Sequence, residues 1–239
     1  MHHQNLIQQN PNIFSSAPKV VTDAVKNAPP GELPSNFDPN DPIGSLANVR
    51  DPKNPKLSGR QDPQGTYTES EFYTDMENRK GSPFNYALSE QGRKEFGDRA
   101  QNIVTIQTNS GKKLSVNAAA AKDFKQFIDE IESRGYKVTD LGGYNNRDNV
   151  NAPGKPSTHA FGTAIDINPG QNPNKPRVPG QTDMPENIKY VAMKYGLAQI
   201  GSDRMHFERV SPALRKVYVQ RLIQQGWIKP DDPVVQQRI

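Results

Sequence analysis

The sequence predicts an α+β domain, in which a small antiparallel sheet is flanked by helices, preceded by an extended, proline-rich N-terminal arm. Three observations predict this fold class. Ten of the 21 prolines lie in residues 1–65 and none lies between residues 84 and 152. From residue 101 onwards, short apolar runs with strand and helix periods alternate along the chain. Hydrophobic residues make up only 33% of the 239 residues, which is low for a chain folded from end to end.

The proline content of residues 1–65 predicts an extended arm, because proline has no backbone N–H and biases the preceding residue towards extended geometry. One short helix is expected within the arm, at Lys19–Lys26. A segment of this composition buries no core of its own, so we expect a partner chain, or wrapping around its own domain, to hold it. Two short amphipathic pieces, Glu69–Asn78 and Ser89–Phe96, predict a helical lead-in over residues 66–100.

Residues 101–229 predict the folded domain, which begins with a β-hairpin. Apolar residues in 103–106 and 114–116 flank Asn109-Ser110-Gly111, a sequence typical of turns. A helix follows, with Asn117 as its expected cap and Gly135 at its C-terminal end. Five apolar side chains share one face of this helix: Ala121, Phe124, Phe127, Ile128 and Ile131.

The second half of the domain alternates strands, polar loops and helices, and residues 230–239 form a tail. In order, the predicted elements are a strand at Tyr136–Leu141, a polar loop at Tyr144–Ser157, a strand at Phe161–Asn168, a loop over 169–184, a helix at Pro185–Tyr195, a last strand near Leu197–Ile200 and Met205–Phe207, and a helix at Pro212–Gln225 capped by Ser211.

Composition and charge exclude several classes of protein. No apolar run approaches 18 residues, so no membrane span is expected, and the N-terminal residues predict no secretory signal. The absence of cysteine excludes disulfide scaffolds, cysteine-ligated zinc and thiol nucleophiles. A net charge of +4 without a dense Lys/Arg stripe predicts no nucleic-acid partner, but it is compatible with an acidic polymer such as a cell wall.

The four histidines carry the clearest chemical signal. His2 and His3 lie at the N-terminus, where an incidental pair is the simplest interpretation. His159 and His206 each stand beside an acidic residue, on a predicted strand or at its start. The two internal histidines are therefore candidates for a common site.

Strand geometry suggests how these residues could meet. Asp166 lies on the face of its predicted strand opposite its apolar neighbours, and Gly162 permits a bend that brings His159 back beside it. Burying a bare aspartate is costly, so it requires a partner. A cation held by His159, Asp166 and His206 provides one, and such a donor set suits zinc. The spacing Asp203-x-x-His206 places a second carboxylate nearby, as a candidate general base.

The motifs in which these residues lie resemble a known enzyme family. Ser157-x-His159-x-x-Gly162-x-Ala164-x-Asp166, followed downstream by Asp203-x-x-His206, is similar to the zinc peptidases of the D-alanyl-D-alanine carboxypeptidase and dipeptidase family. That family includes the L-alanyl-D-glutamate endopeptidases found as phage lysins. The segment Gly142-Gly143-Tyr144-Asn145-Asn146-Arg147 resembles the family's Gly-Tyr-x-x-Arg element. The resemblance covers about residues 101–228 and implies the DD-peptidase or hedgehog-like fold.

Residue by residue, the resemblance implies a metal site and a base. His159, Asp166 and His206 would be the ligands of a Zn²⁺ cofactor, which lowers the pKa of water towards about 7. Asp203 would take a proton from this water and pass it to the leaving amine. Many relatives carry glutamate at the position of Asp203, so the base of this chain is shorter by one methylene.

The resemblance also implies substrate contacts. Arg147 would polarise the scissile carbonyl or stabilise the oxyanion, although relatives often place an arginine where this chain has Asn145. Ser157 would orient His159 or contact the substrate backbone. We expect Glu208 to lie behind the metal ligands rather than among them.

Together these features imply a zinc-dependent peptidoglycan peptidase that cleaves amide bonds in stem or cross-bridge peptides, as an endopeptidase or a carboxypeptidase. The chain shows neither a signal nor a wall-binding module, as in a lysin made in the cytoplasm, but a freely released lysin needs no 65-residue arm. We therefore expect a phage virion-associated lysin. Residues 1–65 would anchor it to tail or baseplate proteins, and it would act at the bacterial cell wall. Two alternatives remain: a free endolysin in the host cytoplasm before lysis, and a catalytically inert virion structural or wall-binding protein.

Overall fold

Short strands and helices alternate along the folded part of the chain, most of which lies within residues 101–229. The computed structural model describes residues 41, 43–48, 84–174, 182–185, 187–200, 203–224 and 227–237. Over these residues the fold is α+β, with small antiparallel sheets and a few helices. The α-helices are α1 (Glu90–Phe96), α2 (Ala121–Ser133), α3 (Ile188–Lys194), α4 (Pro212–Gln224) and α5 (Pro233–Gln236). The strands are β1 (Ile103–Gln107), β2 (Lys113–Asn117), β3 (Leu141–Gly142), β4 (Asp148–Asn149), β5 (Ala152–Pro156), β6 (Ala164–Ile167), β7 (Leu197–Ile200) and β8 (Asp203–Arg209).

Several predicted elements are confirmed to within a few residues. β1 and β2 form the expected antiparallel hairpin. α1 follows Ser89, whose hydroxyl accepts a hydrogen bond from the Gly92 N–H at 3.0 Å. The hydroxyl of Ser211 accepts from the Leu214 N–H at 3.2 Å at the start of α4. These starts follow from side-chain oxygens that satisfy backbone N–H groups in the first helical turn.

Helix α2 ends as predicted, but its predicted cap is wrong. Gly135 has a φ of +96°, and the Tyr136 N–H donates to the Ile131 carbonyl at 3.0 Å, as in a Schellman motif. Asn117 does not cap the helix, because a turn separates it from the N-cap residue, Ala120. Its side chain instead accepts from the Ala119 N–H at 3.0 Å within that turn.

The strand predicted at Tyr136–Leu141 is wrong for most of its length, since only β3 (Leu141–Gly142) is a strand. The side chain of Asn168 provides the reason. Its Oδ1 accepts from the backbone N–H groups of Thr139 and Asp140 at 2.7 and 3.1 Å, and its Nδ2 donates to the Lys137 carbonyl at 2.9 Å. The Asn168 side chain thus makes the backbone hydrogen bonds that a neighbouring strand would otherwise make.

Two further predictions around the histidines need correction. The polar loop predicted at Tyr144–Ser157 contains a short antiparallel ribbon of β4 and β5. The strand predicted at Phe161–Asn168 is only β6, because the chain before it forms a 3-10 helix at Thr158–Phe161. Gly162, with a φ of +67°, separates the 3-10 helix from the strand.

The C-terminal strands form the main sheet with β3 and β6. β7 and β8 are separate strands of an antiparallel hairpin, where a single last strand was predicted. The sheet order is β3-β6-β8-β7, with every neighbouring pair antiparallel. The core lies against one face of this sheet, where the rings of Phe127 and Phe207 lie 5.0 Å apart. Among the described residues, no helix has both the length and the apolar character needed to cross a membrane.

Residues 43–48, which we call the strap, pack into the domain although they lie within the predicted arm. Ile43 and Leu46 are 4% and 0% exposed and belong to the core. The Leu46 N–H donates to the Arg134 carbonyl at 2.8 Å, and Arg134 Nη1 lies 2.8 Å from a carboxylate oxygen of Asp41. This part of the arm therefore wraps around its own domain. The helices predicted at Lys19–Lys26 and Glu69–Asn78 lie outside the described residues.

A partly buried ionic network joins α2, α3 and the C-terminal segment, which contains α5 where a plain tail was predicted. Lys194 Nζ lies 2.9 Å from Glu130 and 2.8 Å from Asp232, and Arg134 Nε lies 2.9 Å from Glu130. Burial by itself raises the pKa of Glu130. The charge of Lys194, a hydrogen bond from Tyr195 and the charge of Arg134 outweigh it, so this pKa lies below its ordinary value.

Candidate metal centre

The register of the main sheet brings two of the predicted ligands together. Asp166 of β6 is paired with His206 of β8, and Gly142 of β3 is paired with Asp166. Directly paired residues present their side chains on the same face of a sheet. Ile165 and Phe207 alternate with them, and both are fully buried in the core. Apolar and polar side chains therefore alternate along β6 as predicted, and the carboxylate of Asp166 and the imidazole of His206 lie on the sheet face opposite Ile165 and Phe207.

His159 reaches this face from the 3-10 helix rather than from a strand. The Ser157 hydroxyl accepts from the His159 N–H at 3.3 Å at the start of this helix. Gly162 then reverses the chain, and a Cβ at this position would lie 2.6 Å from the backbone nitrogen of Asn117. Only glycine therefore fits the bend between His159 and β6.

The three ligand atoms form a triangle that one ion could share. His159 Nε2 lies 3.1 Å from His206 Nδ1, His206 Nδ1 lies 3.1 Å from Asp166 Oδ1, and His159 Nε2 lies 3.3 Å from Asp166 Oδ1. Ligands at about 2.0–2.1 Å in tetrahedral arrangement are separated by about 3.4 Å, which is close to these distances. The group is largely buried and could hold a metal ion.

Hydrogen bonds on the far side of each ring select the nitrogen that faces the triangle. His159 Nδ1 lies 2.8 Å from the Gly143 carbonyl oxygen, an acceptor, so this nitrogen carries the proton and Nε2 keeps its lone pair. His206 Nε2 lies 3.0 Å from Glu208 Oε2, which leaves Nδ1 for a metal. Such outer hydrogen bonds orient metal-binding imidazoles and increase their basicity.

Gly143 is part of the segment that resembles the family's Gly-Tyr-x-x-Arg element, although no role was predicted for it. A Cβ there would lie 2.3 Å from the Ser115 carbonyl oxygen, and the following Tyr144 N–H donates to that oxygen at 2.6 Å. The chain can therefore pass close to β2 and direct the Gly143 carbonyl at His159 only without a side chain. The Gly142-Gly143 pair was the available signal, since adjacent glycines often mark a close backbone approach.

Glu208 lies behind His206, where the sequence predicted it. The residue is 2% exposed, and its Oε2 also accepts from the Thr158 hydroxyl at 3.0 Å. Its other oxygen accepts a hydrogen bond from the backbone N–H of Asn85. Two separate segments of the chain, at Asn85 and Thr158, therefore hold this carboxylate, and the carboxylate in turn holds His206.

The electrostatics of the site favour positive charge at its centre. Burial by itself lowers the pKa of His206, but hydrogen bonds and charge from Asp166 and Glu208 outweigh it and raise that pKa to about 10. Burial raises the pKa of Asp166, yet the two imidazoles hold it well below its ordinary value. The half-buried carboxylate of Asp166 and the buried carboxylate of Glu208 thus favour either a proton on His206 or a cation in the triangle.

Asp203 begins β8 and lies close enough to the triangle to interact with it electrostatically. Burial raises the pKa of its carboxyl group; the charge of His206 lowers it and that of Asp166 raises it further. Its Oδ2 accepts from Asn174 Nδ2 at 2.9 Å, whereas its buried Oδ1 has no hydrogen-bond partner among the described residues. This free oxygen is the one that could accept a proton.

Arg147 interacts with Asp203 through its charge, whereas Ser157 contacts the backbone of His159. The positive charge of Arg147 lowers the pKa of Asp203, so the two groups interact, while Arg147 Nη1 donates to the Asp148 carbonyl at 3.2 Å. Ser157 is 5% exposed, and its hydroxyl is engaged by the His159 backbone. Of the two predicted roles for Ser157, the contacts favour the orientation of His159.

Comparisons with known proteins assign no family to the chain. A scan against protein-family models, a search of curated proteins and a search of solved structures each found no match. Inferences about function therefore depend on the geometry of the candidate metal centre and on the motifs that form it.

Proposed function

We propose that this protein is a zinc-dependent peptidase that cleaves amide bonds in the stem or cross-bridge peptides of peptidoglycan. The observation that carries the proposal is the triangle of His159, Asp166 and His206, with the free oxygen of Asp203 in the same electrostatic environment. The resemblance of these motifs to zinc D-alanyl-D-alanine peptidases supplies the substrate class.

The donor set fits zinc, and the resemblance to zinc peptidases makes zinc the proposed metal. Two imidazole nitrogens and one carboxylate oxygen, at the spacing expected for a tetrahedron, are a typical catalytic zinc site with three protein ligands. A bound zinc ion supplies Lewis acidity and lowers the pKa of water towards about 7. Gly143 and Glu208 hold the two rings, so that the free lone pairs face the triangle.

Asp203 and Arg147 then carry out the proton and charge chemistry. Asp203 Oδ1 accepts a proton from the water that attacks the amide carbon, and it passes this proton to the leaving nitrogen as the C–N bond breaks. The products are a carboxylate and an amine. A carboxyl group whose pKa is raised by burial suits this transfer, because it holds the proton between the two steps. Arg147 stabilises the negative charge that develops on the carbonyl oxygen.

The test is the digestion of purified muropeptides by the zinc-loaded protein, with mass spectrometry of the products. Wild type should release one new amine and one new carboxylate per cut, which also identifies the bond. Asp203→Asn should lose most of the turnover while keeping its zinc, whereas the exposed control Asn109→Ala should cleave like wild type. Intact muropeptides after incubation with zinc-loaded wild type, or wild-type turnover by Asp203→Asn, contradict the proposal.

We further propose that the protein is a virion-associated lysin, and that residues 1–40, the part of the predicted 1–65 arm that precedes Asp41 and the strap, anchor it to a tail or baseplate. Because Ile43 and Leu46 belong to the core, the deletion that tests anchoring must end before Asp41. A chain without residues 1–40 should fail to enter particles and still hydrolyse muropeptides. Normal incorporation of this chain excludes anchoring by those residues.

The second candidate is a free endolysin, and the strap favours it in one respect. Residues 43–48 are held by their own domain through Arg134 and the core, so this part of the arm requires no partner chain. A free endolysin should be absent from purified particles and present in the lysate. An inert virion structural or wall-binding protein should be in particles, with neither zinc nor hydrolysis.

A further inference from the structure

The two oxygens of the Asp203 carboxylate lie in different surroundings, and Asn174 causes the difference. Oδ2 accepts a hydrogen bond from Asn174 Nδ2 at 2.9 Å, and Oδ1 is buried without a partner among the described residues. We infer that Asn174 is a positioning residue, which holds one oxygen of Asp203 so that the other stays free to exchange a proton. This inference rests on the proposed role of Asp203 as the base.

The bond restricts a rotation that would otherwise exchange the two oxygens. A carboxylate turns easily about its Cβ–Cγ bond, because terminal torsions of this kind have broad minima. A donor on one oxygen at 2.9 Å has normal hydrogen-bond length and stabilises one orientation. Catalytic groups must hold their productive geometry closely, and a misplacement of 1 Å can cost about 100-fold in rate.

Asn174 is itself supported by a buried polar network that includes its near neighbour Asn172. Asn172 is fully buried, and its Nδ2 lies 2.9 Å from Asp183 Oδ1. Asp183 also accepts from the Tyr136 hydroxyl at 2.7 Å and from Asn48 Nδ2, in the strap, at 2.8 Å. The chain is therefore anchored to the domain at Asn172, two residues before Asn174, and this anchor restricts the position of the Asn174 amide.

An amide suits this position chemically better than a cation. A lysine or arginine on Oδ2 would form an ion pair, which favours the charged carboxylate and lowers its basicity. The neutral amide of Asn174 orients the carboxylate and leaves it able to take up a proton. Aspartate at position 174 has almost the same shape, but it offers no donor and repels Asp203.

The test compares Asn174→Ala and Asn174→Asp with the control Asn109→Ala, which loses one exposed hydrogen bond to Lys125. For each zinc-loaded variant, kcat and KM are measured on muropeptides across pH, and zinc affinity and thermal stability are measured separately. We expect kcat to fall about 10-fold to 100-fold in both Asn174 variants, with KM and zinc affinity unchanged. Asn174→Asp should also move the acidic limb of the pH profile to higher pH, because a second carboxylate favours the protonated form of Asp203.

Two results overturn the inference, and they differ from a failure of the proposed function. Wild-type kcat in both Asn174 variants, while Asp203→Asn is impaired, shows that the base needs no positioning by this amide. Parallel losses of kcat, zinc affinity and thermal stability, equal in the two variants, show a general structural role. An inactive zinc-loaded wild type instead removes the proposed function, and the inference with it.

Discussion

Replacing Leu46 by alanine tests whether the strap is part of the folded domain. The side chain is 0% exposed, although it lies in a proline-rich stretch that the sequence assigns to an arm. Buried leucine-to-alanine changes cost about 2–5 kcal/mol, from lost transfer free energy and from the cavity that remains. In a domain of this size each kcal/mol lowers the melting temperature by about 2–4 °C. We therefore expect Leu46→Ala to melt about 6–12 °C below wild type, for a cost of about 3 kcal/mol.

The matched control is Val150→Ala, because Val150 is also apolar but is 69% exposed. Thermal unfolding followed by circular dichroism, with guanidinium titrations for the free energy of unfolding, measures both variants. Val150→Ala should stay within about 0.5 kcal/mol of wild type, as surface substitutions usually do. Equal small effects from Leu46→Ala and Val150→Ala would refute the packing of the strap into the core.

Four further results are expected from the same structure. Glu208→Gln should weaken zinc binding about 10-fold to 100-fold in a chelator competition, because the amide holds His206 less firmly than the carboxylate does. Zinc binding at pH 8 should release about two protons, read from the buffer dependence of the calorimetric enthalpy. One comes from His206, whose surroundings raise its pKa without metal to about 10, and one from the water whose pKa zinc lowers towards about 7. Gly143→Ala should destabilise the fold by about 1–3 kcal/mol, because its Cβ would lie 2.3 Å from the Ser115 carbonyl oxygen; unchanged stability contradicts this close approach. The pKa of Glu130 is lowered in the folded state from its ordinary value of 4.5. The ionised Glu130 therefore stabilises the fold above pH 4.5, and this contribution is lost as the pH falls below that value. In denaturant titrations across pH, Glu130→Gln should lose less stability on acidification than wild type.

Elements whose ends depend on local chemistry were predictable from the sequence. Ser211 and Gly135 act on backbone groups within a few residues, so their predicted roles follow from the neighbouring sequence alone. Asn168 instead bonds to backbone groups about thirty residues away, and it converts a predicted strand into irregular chain. Leu46 packs against core residues that are even further away in the sequence, and the proline-rich residues around it argue against burial.

The candidate site shows the same division. Strand alternation placed Asp166 on the face opposite its apolar neighbours, and the two histidine motifs predicted that His206 meets it at one ion. The sheet register, which pairs Asp166 with His206, brings the two residues together. The groups that hold these ligands were less accessible to sequence reasoning, because their contacts are made across the fold. Gly143 lies in a motif, but it contributes a backbone carbonyl, which the identity of the residue does not reveal. Asn174 is one of several polar residues in its loop, and nothing in the local sequence distinguishes it from its neighbours.

The proposal that His159, Asp166 and His206 share one zinc ion can be tested directly. Zinc is titrated calorimetrically into chelator-treated protein in which His2 and His3 are replaced by alanine, which removes the other two imidazoles of the chain. One ion per chain should bind, and the added change His206→Ala should abolish that binding. A chain that takes up no zinc, or a His206→Ala variant that binds it as tightly as its parent, would contradict the metal centre and the peptidase mechanism built on it.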